Sequence, residues 1–143
     1  VSGARDTRLS KGANVASWIA QVVAAAILGQ TLFFKFSGAR ESVYIFNELG
    51  AEPWGRIGSG VVELVCVVLL LLPRTAALGA LLTLGTMAGA IGAHLVRLGI
   101  EIKVDGESDG GLLFALAVTT VLAALVVLGL RRASLPIVGS KLP

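Results

Sequence analysis

The sequence predicts an all-α fold: a bundle of four transmembrane helices, with both termini cytoplasmic and a short amphipathic segment in the first outer loop. Three observations lead there. The 143 residues are 55% hydrophobic and only 15% charged, with a mean hydropathy of +0.87, whereas soluble domains average about 25% charged. Four apolar stretches, 16–36, 57–72, 75–99 and 110–130, each come near the roughly 17 to 25 residues that cross a bilayer. Lysine and arginine gather on one side of those stretches, and in short loops that bias sets orientation.

The division that follows is a basic cytoplasmic tail over 1–15, a membrane domain over 16–130 and a cytoplasmic tail over 131–143. The first stretch is expected to be a retained span, because it carries Gln30 and ends in Lys35 rather than in a small-residue cleavage site. Arg5, Arg8 and Lys11 precede it, Arg74 sits in the Pro73-Arg74 link, and Arg131, Arg132 and Lys141 follow the last span. The opposite side holds Arg40, Arg56, Arg97 and Lys103 but also Glu41, Glu48, Glu52, Glu101, Asp105, Glu107 and Asp109. The net charge of +3 therefore describes a basic cytoplasmic face suited to anionic lipid, not a nucleic-acid surface.

The short Pro73-Arg74 link makes the second and third spans antiparallel neighbours. In the first outer loop, Val43, Tyr44, Ile45, Phe46 and Leu49 lie among charges and are followed by Gly50, Pro53 and Trp54. This predicts a short amphipathic or re-entrant helix at the interface, with Tyr44 and Trp54 at headgroup level. In the last loop, 100–105 alternates apolar and charged residues before Gly106, as a short strand or hairpin would. Small residues (Ala25 and Gly29, Gly60, and Gly79, Gly85, Gly89 and Gly92) predict close helix contacts. Thr119 and Thr120 are expected to bond to carbonyls of their own helix.

The candidate site is a polar layer. At a rise of 1.5 Å per residue, Gln30 lies about 9 Å, Glu63 about 9 Å and His94 about 7.5 Å from the outer ends of their spans, with Lys35 at the edge. Arg97 follows His94 by three residues on what a regular helix makes one face, and Asp109 opens the fourth span from the same side. An ionisable side chain in hydrocarbon costs at least about 2.5 kcal/mol, so such residues face a partner, a cavity or a pathway. Two readings follow. Glu63 pairs with Lys35, Arg97 or His94 and pins the bundle; or the layer lines a pocket where Glu63 or His94 exchanges a proton with a small amphipathic ligand.

Other chemistries find no support. Cys66 is the single cysteine, so a disulfide or dithiol motif within the chain is excluded. One histidine and one carboxylate fall short of a zinc set, bis-histidine haem ligation is ruled out, and the glycines lie inside spans rather than in a phosphate-binding turn. No electron carrier, nucleophile motif or metal site is expected of this chain.

Gln30-Thr-Leu-Phe-Phe-Lys-Phe-Ser-Gly38, Leu49-Gly-Ala-Glu-Pro53, Val62-Glu-Leu64 through Leu72-Pro-Arg-Thr75, and Met87-Ala-Gly-Ala-Ile-Gly-Ala-His94 resemble the DoxX-like family over about 16–130. The resemblance implies a small four-helix membrane protein of a bacterial plasma membrane, associated with quinone-linked oxidation. It maps Lys35, Glu63 and His94 onto the family's polar positions and supplies no catalytic residue. The expected function is a non-catalytic membrane subunit that anchors or stabilises an oxidoreductase assembly, in a complex or homo-oligomer, and contacts quinone or lipid through the polar layer. The alternative is a small proton-coupled transporter using Glu63. Small multidrug transporters carry their glutamate in the first span, whereas Glu63 is in the second.

Overall fold

The computed structural model describes residues 9–135. Arg5, Arg8 and Lys141, which entered the charge argument above, lie outside the described residues. Five helices and one small hairpin make up the fold: α1 (Lys11–Ser37), α2 (Arg40–Glu48), α3 (Trp54–Leu71), α4 (Ala76–Ala93), β1 (Lys103–Val104), β2 (Glu107–Ser108) and α5 (Leu112–Arg131). A π turn over His94–Leu98 extends α4, and a 3₁₀ turn over Arg132–Ser134 extends α5. Helices α1, extended α4, α3 and extended α5 are each long and apolar enough to span a bilayer.

Most boundaries lie close to the sequence reading, and the departures have local causes. Helix α1 starts at Lys11 rather than in the apolar run, because Ser10 caps it: its hydroxyl accepts the Ala13 N–H at 3.2 Å. Residues read as tail are thus helical. Arg131, counted with the C-terminal tail, is the last residue of α5. Between α3 and α4 the chain turns within 72–75, where the Thr75 hydroxyl donates to the Leu69 carbonyl at 2.9 Å. That bond satisfies a helix-end carbonyl and fixes the two helices as an antiparallel pair.

The spans form a ring in the order α1, α3, α4, α5, with α5 closing back on α1. Large apolar side chains such as Ile19, Val61, Val68, Leu81, Leu122 and Leu125 point outward and are exposed. In water such a surface would aggregate; in a bilayer it is the matching one. The interior is the reverse, filled largely by small residues. Ala20, Ala24, Ala76, Ala80, Ala123 and Ala124 meet Cys66, Leu70 and Val127 in a closed core toward the end that holds the α3–α4 turn.

Close approach concentrates at three glycines: Gly55, where a Cβ would stand 2.6 Å from that of Ala51, and two of those the sequence singled out. A Cβ on Gly79 would stand 2.8 Å from the Leu70 amide nitrogen, and one on Gly60 would stand 2.9 Å from the Phe36 ring. Gly29, Gly85, Gly89 and Gly92 have nothing within 4 Å of that position. The expected small-residue stripe along α4 is therefore a helix contact at Gly79 and open space further on. Gly79→Ala is expected to destabilise by about 1–3 kcal/mol through overpacking. Gly85→Ala is expected to stabilise by about 0.5–1 kcal/mol, since it only removes a helix-interior glycine; thermal unfolding of both variants in one detergent checks the opposite signs.

The last loop is the hairpin that its alternation suggested. Lys103 pairs with Ser108 and Val104 with Glu107, and Asp105 (φ 52) and Gly106 (φ 84) form the two-residue turn. Both positive angles fit the Asp-Gly sequence, which suits this mirror-image turn. Ile102 leads into the hairpin and is buried against the bundle end. From across the loop, Arg40 of α2 reaches Asp105 at 2.9 Å and Glu107 at 3.8 Å. These exposed pairs are each worth less than about 1 kcal/mol, so they orient α2 more than they hold it.

At the closed end, Arg131 donates to Ser17 at 2.6 Å, Gln21 at 2.8 Å and Asn14 at 2.9 Å, with its guanidinium 5.8 Å from the Trp18 ring centre. Gln21 in turn donates to the Leu70 carbonyl at 2.6 Å. One fully buried amide thereby links α1, α3 and α5. A residue placed by charge as a topology signal thus also ties three helices together.

Candidate functional site

Toward the hairpin end the four spans border a half-open cavity of about 600 Å³. Leu28, Met87 and Ala117, which belong to the closed core, also form part of the cavity wall. Helix α2 supplies another part through Ile45, Phe46 and Leu49, which spacing places on one helical face. The predicted amphipathic helix therefore turns its apolar side to an internal space. The size falls within the roughly 300–1,000 Å³ typical of small-molecule sites, and the wall is mostly apolar with a few polar groups, as such sites usually are.

Lys35 on α1 and Glu63 on α3 meet in this cavity. Their Nζ–Oε1 separation is 2.6 Å, with side chains 15% and 4% exposed. Thr31, one helical turn before Lys35, lies with its hydroxyl 2.8 Å from Glu63 Oε2, so both carboxylate oxygens have partners. The Lys35 ammonium also stands 5.6 Å from the centre of the Phe46 ring on α2. Of the three partners open to Glu63, the geometry selects Lys35.

Nearer the loop end of α3 than that pair, Arg56 holds the end of α1. It donates to both Glu52 oxygens, at 2.9 and 3.0 Å from Nε, and to the Lys35 carbonyl. A helix-end carbonyl that would otherwise lack an intrahelical donor is satisfied by this contact. The Lys35 backbone is fixed while its side chain reaches Glu63.

His94 lines another side of the cavity and makes no contact with the ion pair. Its Nδ1 lies 2.8 Å from the Gly99 carbonyl oxygen, and the Gly99 N–H donates back to the His94 carbonyl at 2.7 Å. This reciprocal link spans the π turn. It depends on Gly99, whose φ of 81° and ψ of 174° lie in a region that is essentially glycine-only. The Phe114 ring of α5 packs edge-on against the imidazole with centroids 5.6 Å apart.

Asp109 joins the loop to α5. Its carboxylate accepts N–H bonds from Ile102 at 2.8 Å, Gly111 at 2.9 Å and Leu113 at 3.1 Å. Partial burial opposes the charge, but these three donors outweigh it and hold the carboxyl below its usual range. A depressed folded-state pKa contributes stability that is present above the unfolded value and lost as pH falls through the folded one. Asp109→Ala is expected to cost about 1–2 kcal/mol at neutral pH, as loss of a helix-capping carboxylate does. The deficit should narrow below about pH 4, where the unfolded carboxyl begins to protonate; unfolding curves across pH measure both effects.

Two residues of the expected layer are placed elsewhere. Gln30 is exposed on the outside of α1, and Arg97 is exposed with its Nε donating to the Glu48 carbonyl at 3.2 Å. Depth alone put Gln30 in the layer, but five residues from Lys35 is the wrong side of a helix. Arg97 was placed by regular α spacing, but the π turn rotates less per residue, so three residues do not bring it back to the face of His94. Thr31 was the residue to find. It stands four before Lys35, on the same face.

The fold and cavity define a class: a four-span α-helical membrane protein whose spans, with a short amphipathic helix, border a mostly apolar, half-open chamber. The model of the DoxX-like family matches residues 19–129, which is most of the chain, and the protein belongs to that family. Comparison with curated proteins and with solved structures gives no match.

Proposed function

We propose that this protein is a bacterial plasma-membrane subunit that binds a quinone-type amphipathic molecule in its cavity and stabilises an oxidoreductase assembly around it. The observation that carries the reading is the cavity itself: an apolar space of about 600 Å³ with Lys35, Glu63 and His94 in its wall. An apolar chamber bordered by an ion pair and an imidazole suits a molecule with a greasy tail and a polar ring. Family membership supports the membrane setting, and the resemblance noted above supports the quinone class. Both chain ends face the cytoplasm in this reading, which the distribution of basic residues supports.

The Lys35–Glu63 pair weighs against the transporter alternative. A carboxylate already bonded to an ammonium and within reach of a hydroxyl is poorly placed to exchange protons with a passing substrate. The test is purification in mild detergent, mass spectrometry of what co-purifies, and titration with a short-chain benzoquinone. Saturable binding together with a redox protein partner supports the proposal. A chain that binds no quinone and holds no partner overturns it.

A further inference from the structure

We infer that the cavity discriminates between the two redox forms of its ligand, taking a hydroquinone, which brings an O–H donor, in preference to the quinone, which brings only carbonyl acceptors. This rests on the reading of the cavity as a quinone-type site and adds to it which form the site holds. His94 decides it. A carbonyl can only accept, so the 2.8 Å contact with Gly99 puts the proton of the neutral ring on Nδ1. Nε2 is left with a lone pair and nothing to donate.

Among the described residues no hydrogen-bond partner reaches Nε2, although His94 is 5% exposed and belongs to the cavity wall. The tautomer is fixed by construction, through the glycine-only geometry at Gly99 and the return bond from its N–H. Ring orientation is fixed by Phe114. An acceptor held this way in apolar surroundings gains from a ligand donor and is penalised by a ligand acceptor.

Three hydroxyls in the wall point the same way. Thr86 donates to the Leu82 carbonyl at 2.9 Å, Thr120 to Leu116 at 2.8 Å and Ser59 to Arg56 at 3.1 Å. Their protons are committed to helix carbonyls, so what they present to a ligand is again an acceptor. Donors in the wall are Lys35, already engaged by Glu63 at 2.6 Å, and the Ser42 hydroxyl of α2. Any proton they offer is accepted equally by a carbonyl or a hydroxyl oxygen, so neither discriminates and His94 does.

The experiment uses the full chain in phosphatidylcholine nanodiscs under anaerobic conditions. Calorimetric titration compares a decyl-benzoquinone, its hydroquinone and the hydroquinone dimethyl ether, which keeps the reduced ring but has no donor. The hydroquinone is expected to bind about tenfold or more tightly than either of the others. In His94→Asn, the amide N–H still serves the Gly99 carbonyl while Nε2 is gone and the shorter side chain draws its amide oxygen back toward the α4 backbone, so the preference is expected to collapse with quinone affinity unchanged. Equal or tighter binding of the quinone, or of the dimethyl ether, by the unaltered protein overturns the inference and leaves the site reading standing. A preference that persists in His94→Asn also overturns it. Binding of none of the three ring compounds overturns the site reading, and this inference falls with it.

Discussion

Lys35→Met is expected to lower stability by about 3–5 kcal/mol, because it strands the Glu63 carboxylate in a site where only Thr31 remains to it. Glu63→Gln alone should cost less, since the amide oxygen still accepts from Thr31 and the ammonium left behind is the more exposed partner. The double variant Lys35→Met with Glu63→Gln is expected to recover most of the loss, as neutral replacements of a buried ion pair commonly do. Thermal unfolding of the four proteins in one detergent closes the cycle and gives the coupling energy. The same cycle separates structure from chemistry. If the pair only pins α1 to α3, the double variant binds ligand as the original does; if Glu63 takes part in handling the ligand, it is stable and inactive.

Ala90→Phe is expected to abolish ligand binding, with affinity falling at least about a hundredfold, while the protein stays folded. Ala90 is a wall residue of α4, and a phenyl group there occupies space the ligand would need. Filling a cavity differs from overpacking a core: the cost of a larger side chain in a filled interior, about 1–3 kcal/mol, arises from displaced neighbours, and here there is room to enter. Calorimetric titration against a short-chain quinone measures the first effect and the unfolding midpoint the second. A matching substitution on the lipid face, Leu81→Phe, should change neither.

Most of the architecture was legible in the sequence because hydropathy and turn chemistry state it directly. Four apolar stretches gave four spans, Pro73-Arg74 gave the tight α3–α4 link, and the alternation over 100–105 before Gly106 pointed to a strand or hairpin, which is the hairpin found. The layer of Lys35, Glu63 and His94 was legible through the cost of burying ionisable groups. What was not legible depends on angle rather than depth. The stripe Ser17, Gln21, Ala24, Leu28, Thr31, Lys35 steps by fours and threes along α1 and marks its inner face, which would have selected Thr31 and Gln21 over Gln30. The π turn at His94–Leu98 has no such signature, and it moved Arg97 out of the layer. Neither could hydropathy distinguish a filled bundle from a hollow one, since alanines closing one end and a chamber at the other are equally apolar.

The ring order of the spans brings the first and last helices side by side, and the Arg131–Asn14 bond fastens them at 2.9 Å. The start of α1 and the end of α5 therefore lie side by side on the molecule's rim. A short peptide bridge could join the start of α1 to the end of α5, so that the α3–α4 turn could serve as a new pair of ends. Such a permuted chain is expected to rebuild the same ring, because none of the contacts around the chamber runs through the original ends.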